Sequence, residues 1–121
     1  MNDALVVDDD PVTRLVLTHM LRAQGWMADA AADVPDAASR LRARSYDLVI
    51  SDFQLPSGTG TELLDVLGDT ASTKFVLLTG IIEYSAIPVE DSQRLSARLT
   101  KPVSSEALRD VLRRVFGDGV K

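Results

Sequence analysis

The sequence of 121 residues predicts an α/β fold in which a parallel sheet of five strands carries helices on both faces. Three observations lead to this prediction. Short runs of Val, Ile and Leu recur without polar alternation, as in strands that are buried on both faces. Segments with apolar residues at helical spacing separate these runs. Several runs end in a charged or hydroxyl residue, which is typical of the ligand-binding edge of a parallel sheet.

The composition restricts the class of protein. With 45% hydrophobic and 26% charged residues, the chain is an ordinary globular sequence with the length of one domain. The absence of cysteine excludes disulfides, thiol catalysis and cysteine-ligated zinc. Apolar runs are too short to span a membrane and the start lacks signal-peptide features, so we expect a cytoplasmic protein without membrane contact. The net charge of −5 argues against direct nucleic-acid binding.

The amino-terminal part predicts two strands, over residues 5–7 and 26–30, with a helix between them. The helix is predicted over residues 11–24, because Asp10 is a good N-cap and Pro11 suits the first helical position. Its predicted buried stripe consists of Val16, Leu17, Met20 and Leu21. His19, the single histidine, lies off this stripe and is interpreted as a surface residue rather than a ligand.

The middle of the chain predicts the central strand between two helices. The first helix covers residues 34–44 and is entered through Asp33 or through Pro35-Asp36. The strand that follows stops at Asp52, and Pro56 and Gly58 then exclude helix until about Gly60. A short helix over residues 60–67 comes next.

The remaining segments predict two more strands, over residues 75–78 and 97–100. The helix between them is the weak element, because Pro88 interrupts it, and we expect it to be short and to begin at or after Pro88. The last helix is capped by Ser104 or Ser105 and ends at Gly117. The whole pattern predicts a doubly wound sheet with right-handed crossovers, the flavodoxin-like order 2-1-3-4-5 and an irregular fourth helix.

Polar side chains follow four of the predicted strands, and parallel neighbours would bring them to one edge of the sheet. They are Asp8 and Asp9, Asp52, Thr79, and Lys101. Carboxylates about 5 Å apart repel by roughly 3 kcal/mol at an effective dielectric constant of about 20. A divalent cation with a preference for oxygen ligands, such as Mg²⁺, relieves this repulsion. A metal cage, a nucleophilic carboxylate, a hydroxyl and a cation together suit phosphoryl transfer onto an aspartate.

With these residues in this order, the chain resembles the receiver domain of two-component response regulators over essentially its whole length. The residues that carry the resemblance are Leu5-Val6-Val7-Asp8-Asp9-Asp10-Pro11, Asp52-Phe53-Gln54-Leu55-Pro56 with Gly60, Thr79-Gly80 and Lys101-Pro102. The resemblance implies a single receiver domain over residues 1–121. It also implies a phosphoacceptor for signalling rather than an enzyme, although such a domain assists its own phosphorylation and dephosphorylation.

The resemblance further implies a role for each site residue. Asp52 would accept a phosphoryl group from the phosphohistidine of a sensor histidine kinase or a phosphotransfer protein. The implied Mg²⁺ ligands are Asp9, Asp52 and the backbone carbonyl of Gln54, with Asp8 acting largely through water. Lys101 would pair with the phosphoryl group and Thr79 would move towards it, which changes a face that binds a downstream output domain or protein. Homodimerisation on this face stays open.

Three positions depart from this family pattern or qualify it. Arg98 stands where many receivers have an aromatic switch residue, and we hypothesise that its side chain projects from the surface towards a partner carboxylate or the fourth helix. Ile81, with Gln54, flanks the path of a hydrolytic water, so its bulk predicts slow dephosphorylation. The Lys101–Pro102 bond is a candidate cis peptide by resemblance, whereas sequence alone favours trans.

Two alternatives from other classes remain at this point. In a haloacid-dehalogenase-type phosphatase Asp8 would be the nucleophile and Asp10 the general acid, but the Asp52 loop would then be unexplained. In a pseudo-receiver the chain would bind partners without phosphorylation. The complete set of acidic, hydroxyl and lysine residues argues against this second alternative.

Overall fold

The computed structural model describes residues 2–68, 72–80 and 89–117. Its strands are β1 (Asp3–Val7), β2 (Met27–Ala31), β3 (Leu48–Asp52), β4 (Gln54–Leu55), β5 (Gly58–Thr59), β6 (Lys74–Thr79) and β7 (Ala97–Thr100). Five of them form one parallel sheet in the order β2-β1-β3-β6-β7, and β4 and β5 form a separate antiparallel hairpin. Without this hairpin the order is the predicted 2-1-3-4-5, so the predicted fold class is confirmed.

The helices also follow the predicted sequence of elements. They are α1 (Pro11–Ala23), α2 (Val34–Ala43), α3 (Glu62–Leu67), α4 (Val89–Arg94) and α5 (Ser105–Phe116). The fourth helix is short and begins after Pro88, as predicted, and residues 81–88, which include Ile81, lie outside the described residues. Helix α3 begins two residues later than predicted, because the Gly60 amide donates to the Phe53 carbonyl (2.8 Å) and closes the preceding loop.

Side-chain caps fix three helix starts where the sequence predicted them. The Asp10 carboxylate accepts from the Val12 amide at the start of α1, and the Ser104 hydroxyl accepts from the Ala107 amide at the start of α5. Asp33 caps α2 in the same way. Hydrogen bonds from the Thr13 hydroxyl and the Val12 amide lower the pKa of Asp10 below its ordinary value, so this cap stays charged at neutral pH.

Two apolar cores lie on opposite faces of the sheet. One packs α1 and α5 against β1, β3 and β6 and contains Trp26, and the other lies under α2 and α3. The predicted stripe of α1 is correct for Leu17 and Leu21 but wrong for Val16, which is 42% exposed. Thr18 takes the buried position instead, since its hydroxyl donates to the Leu15 carbonyl and is thereby satisfied inside the protein.

Arg22 covers part of the outer edge of the sheet. Its guanidinium reaches from the last turn of α1 to the carbonyl of Ala28 on the edge strand β2 (2.8 Å). None of the helices in the described ranges is long and apolar enough to span a membrane.

A polar cluster closes the amino edge of the sheet, opposite the ends of the strands that carry the site. The Tyr46 hydroxyl donates to Asp29 (2.6 Å), and the Arg44 guanidinium contacts both Asp29 and Asp3 while lying over the Tyr46 ring. Burial and the hydrogen bond to Asp29 raise the pKa of Tyr46 to about 12.

This cluster predicts an alkaline stability effect. A tyrosine whose pKa is raised on folding stabilises the protein in its protonated form, so its contribution is complete below the unfolded pKa of about 10 and is lost as the pH rises towards 12. Urea unfolding at a series of alkaline pH values should therefore show a steeper loss of stability for the wild type than for Tyr46→Phe. At neutral pH, Tyr46→Phe should cost about 1 kcal/mol for the lost hydrogen bond. Parallel pH profiles of the two proteins would contradict this account.

Candidate functional site

The carboxyl edge of the sheet brings together the residues that the sequence singled out. Asp8 and Asp9 directly follow β1, Asp52 ends β3, Thr79 ends β6 and Lys101 follows β7. The register of the sheet brings these residues to one level, because the strands end next to one another. Val7 lies opposite Ser51, Asp52 opposite Leu78, and Thr79 opposite Thr100. Gln54, the other predicted site residue, lies on β4 with its side chain exposed.

Three carboxylates crowd this edge. Asp8, Asp9 and Asp52 each offer an oxygen, and these oxygens all lie within 4.8 Å of one another. Asp8 and Asp52 are buried and Asp9 is exposed, so the cluster opens towards solvent through Asp9. At this spacing each pair of charges repels by about 3 kcal/mol at an effective dielectric constant of about 20. A hard cation with oxygen ligands matches this donor set.

The ammonium of Lys101 connects the two buried carboxylates. It lies 3.0 Å from Asp8 Oδ2 and 3.0 Å from Asp52 Oδ2. Burial alone would lower the pKa of Lys101, but hydrogen bonds to Asp52 and Asp8 and the charges of these two carboxylates raise it above its ordinary value. Lys101 is therefore charged at neutral pH and offsets part of the repulsion. Its bond to Pro102 is cis, as the family resemblance implied.

A buried hydroxyl lies at the same edge of the sheet. Thr79 is fully buried, and its Oγ1 has no hydrogen-bond partner within the described ranges. An unpaired buried hydroxyl costs stability unless a ligand or water engages it. Such a donor is suited to an anionic group that arrives at the carboxyl edge.

Hydrogen bonds hold the loop after Asp52 against the backbone at the end of β3. The Ser51 hydroxyl donates to the Asp52 carbonyl (3.0 Å), and the Gly60 amide donates to the Phe53 carbonyl. The hairpin of β4 and β5 forms the chain between Phe53 and Gly60. The Glu62 carboxylate accepts from the Thr59 amide at the end of this hairpin. A Cβ atom at position 60 would overlap the Asp52 carbonyl oxygen and lie 2.5 Å from Ser51 Oγ, so only glycine fits there.

An apolar groove runs beside the site, between α1 and the segment after β7. It is lined by Val12, Thr13, Val16, Leu17, Lys101, Pro102 and Val103. On the outer side of α1, Val12 and Leu15 are mostly exposed together with Val16. Exposed apolar residues that adjoin a polar site indicate a surface for a macromolecular partner.

The fold and the site together define a class of protein. A doubly wound sheet that presents an acidic cluster, a lysine and a buried threonine hydroxyl at its carboxyl edge is typical of a phosphoacceptor signalling domain. The family model of the response regulator receiver domain matches residues 4–113. The chain belongs to this family, which is the receiver domain of two-component response regulators, and the haloacid-dehalogenase-type alternative loses its support.

Curated relatives agree with this family. The chain is 32% identical over 118 residues to an uncharacterized response regulatory protein of Vibrio vulnificus, a match that covers 95% of the chain and 48% of the relative. It is also 32% identical over 111 residues to the sensor histidine kinase RcsC of Salmonella typhi, covering 89% of the chain and 12% of that protein. The chain thus spans about half or less of these relatives.

Solved structures show the same fold. The chemotaxis response regulator CheY4 of Vibrio cholerae superposes with a TM-score of 0.84 at 26% identity, covering 96% of this chain and 99% of that one. The response regulator TrrA of Thermotoga maritima, solved in complex with Mg²⁺-BeF, superposes with a TM-score of 0.83 at 26% identity, covering 96% and 100%.

Sequence reasoning missed one residue that the structure places at this edge. Arg14, on α1, donates from its guanidinium to the backbone carbonyl of Asp8 (2.7 Å). The sequence offered no signal for it beyond its position six residues after Asp8, because an arginine on an amphipathic helix is more often solvated. Arg98 is half-buried on β7 and lies opposite Leu77, so the hypothesis that it reaches a partner stays a prediction.

The close approach at position 60 gives a test of the loop. Gly60→Ala should lower the free energy of unfolding by about 1–3 kcal/mol, since the added methyl group forces the Asp52 backbone to shift. Chemical denaturation measures this change. The control is Ser57→Ala in the same loop. It removes an exposed hydroxyl that accepts from the Val34 amide of α2, and it should cost less than 1 kcal/mol. Equal stability of Gly60→Ala and the wild type would show that the loop is not constrained in this way.

Proposed function

We propose that Asp52 is the phosphoacceptor of this receiver domain. The Lys101 ammonium and the Thr79 hydroxyl would then bind the phosphoryl oxygens. The observation that carries the proposal is the position of the Lys101 ammonium, 3.0 Å from both Asp52 and Asp8 inside the carboxylate cluster. A carboxylate oxygen of Asp52 attacks phosphorus while the bond to the donor histidine breaks, and Lys101 and the Thr79 hydroxyl then face the new acyl phosphate.

We propose Mg²⁺ as the metal of this site. Its supporting observations are the three carboxylate oxygens within 4.8 Å of one another and the open side at Asp9. Asp9, Asp52 and the backbone carbonyl of Gln54 would hold the ion, with Asp8 acting largely through water. When bound, Mg²⁺ neutralises charge on the transferred phosphoryl group.

Asp52 is a better acceptor than Asp8 on geometric grounds. The Asp8 side chain is fully buried, and its two oxygens are engaged by the Asp10 amide (2.9 Å) and by Lys101. The Asp52 side chain is 7% exposed against 0% for Asp8, so it is the more accessible of the two buried carboxylates. A pseudo-receiver has less support, because acids, lysine and threonine hydroxyl are all assembled at one edge.

The proposed partners follow from the surface around the site. The donor is a sensor histidine kinase or a phosphotransfer protein, and the apolar residues of α1 next to the groove support docking there. Phosphorylation adds negative charge beside Lys101 and draws Thr79 inward, which changes a face for a downstream output domain or protein. We further propose that residues 1–121 are one receiver domain, that it acts in the cytoplasm, and that it assists its own phosphorylation and dephosphorylation.

The acceptor is tested by incubation with acetyl phosphate and Mg²⁺, followed by intact-mass measurement. The wild type should gain one phosphoryl group in a Mg²⁺-dependent reaction, and Asp52→Asn should gain none. A gain that persists in Asp52→Asn but disappears in Asp8→Asn would move the acceptor to Asp8. No gain in the wild type, even from phosphohistidine donors, would favour a pseudo-receiver.

The docking surface gives a second test. Val12→Ser should slow phosphoryl transfer from a phosphorylated histidine phosphotransfer protein about tenfold, because an apolar contact of about 1.5 kcal/mol is lost. Transfer from acetyl phosphate should not change. Met27→Ser is a matched control, since Met27 is similarly exposed (58% against 64% for Val12) but begins β2 at the opposite edge of the sheet. An equal effect of the two variants would argue against docking on α1.

A further inference from the structure

The first acidic residue of the site is held at four points. The Asp8 amide donates to the Ala31 carbonyl (3.1 Å), and Asp8 Oδ1 accepts from the Asp10 amide (2.9 Å). Asp8 Oδ2 pairs with Lys101, and the Asp8 carbonyl accepts from the Arg14 guanidinium at 2.7 Å. Every polar group of Asp8 therefore has a partner, which for Oδ2 is the ion pair with Lys101 and for the carbonyl is a side chain of α1.

The contact of Arg14 is with the backbone and not with a carboxylate. Asp8, Asp9 and Asp10 follow one another in the chain, and Asp9 and Asp10 are exposed at the turn into α1. Their charges favour a turn in which the carboxylates spread apart. A charge-assisted hydrogen bond to the Asp8 carbonyl opposes this movement, because it ties the turn to the first turns of α1. Because Arg14 is half-buried, water competes less with this hydrogen bond than it would with that of an exposed side chain.

We propose that Arg14 is a positioning residue of the metal site: its hydrogen bond to the Asp8 carbonyl holds the turn of residues 8–10 in the arrangement that binds the divalent cation. This inference rests on the proposed function of the carboxylate cluster as a Mg²⁺ site. Partners that orient metal ligands without touching the metal commonly change metal affinity by 10–100-fold.

The sign of the effect separates positioning from simple charge. A positive charge near a cation site repels the cation, so removal of the Arg14 charge alone would strengthen Mg²⁺ binding. Loss of the hydrogen bond would loosen the turn and weaken binding. The positioning role therefore predicts a change that is opposite to the electrostatic one.

The experiment measures Mg²⁺ binding to unphosphorylated protein by isothermal titration calorimetry. Arg14→Met, which keeps much of the side-chain length without charge or donor, should raise the Kd for Mg²⁺ about tenfold or more. Arg22→Met is the matched control, because Arg22 is on the same helix and also donates to a backbone carbonyl, that of Ala28 on β2, away from the site. Its Kd should equal that of the wild type. An unchanged or lower Kd for Arg14→Met, or an equal rise in both variants, would overturn the proposal.

Two further measurements keep the result unambiguous. Should Arg14→Met fail to fold, Arg14→Lys retains the charge but lacks the guanidinium nitrogen that reaches the Asp8 carbonyl, and it too should bind Mg²⁺ more weakly, whereas a pure charge effect would leave it like the wild type. Amide resonances of residues 8–10 in metal-free protein should shift in the Arg14 variant and not in Arg22→Met. Absence of Mg²⁺ binding by the wild type would refute the proposed metal site itself, and is thereby distinguished from failure of the Arg14 role.

Discussion

The repulsion among Asp8, Asp9 and Asp52 is the constraint on which the rest of the structure depends. Three carboxylates whose oxygens lie within 4.8 Å of one another do not stay together without compensation. Lys101 supplies part of it from the segment after β7, and Arg14 fixes the backbone from α1. Arg14 is close to Asp8 in the chain, whereas Lys101 comes from its far end, and only the completed sheet brings Lys101 to the acids. Folding of the domain and assembly of the site are one event.

The two faces of the sheet contribute differently to this arrangement. Leu99 belongs to the core under α1 and α5, and alternation along β7 places Lys101 on that same side, next to the Asp8 and Asp52 carboxylates. Thr79 lies two residues after Leu77 on β6 and so on the same face, that of the core under α2 and α3, and its side chain therefore lies on the other side of the sheet from Lys101. The edge therefore carries polar side chains from both faces of the sheet.

Much of this molecule could be predicted from its sequence, because local chemistry determines the parts concerned. Apolar runs that end in acids gave the parallel sheet and its order, and Asp10, Asp33 and Ser104 cap the helices as expected. Asp8, Asp9, Asp52, Thr79 and Lys101 meet at one edge because each ends or follows a strand. The misses depend on the exact backbone geometry of a turn, a loop and a helix orientation, which the residue pattern does not determine. Val16 is exposed while Thr18 is buried, Gly60 fits against the Asp52 backbone beside the hairpin of β4 and β5, and the contact of Arg14 with Asp8 needs the turn itself.

The contact of Arg22 with the Ala28 carbonyl has a consequence for how the domain behaves among other copies of itself. An edge strand offers unpaired backbone groups on which a strand of another molecule can add. Strand β2 is such an edge, and its residues are mostly small, so side chains give little obstruction there. Arg22 occupies one of the outward carbonyls and places a charge over it. The same helix that carries exposed apolar residues near the site thus opposes intermolecular strand pairing at its other end.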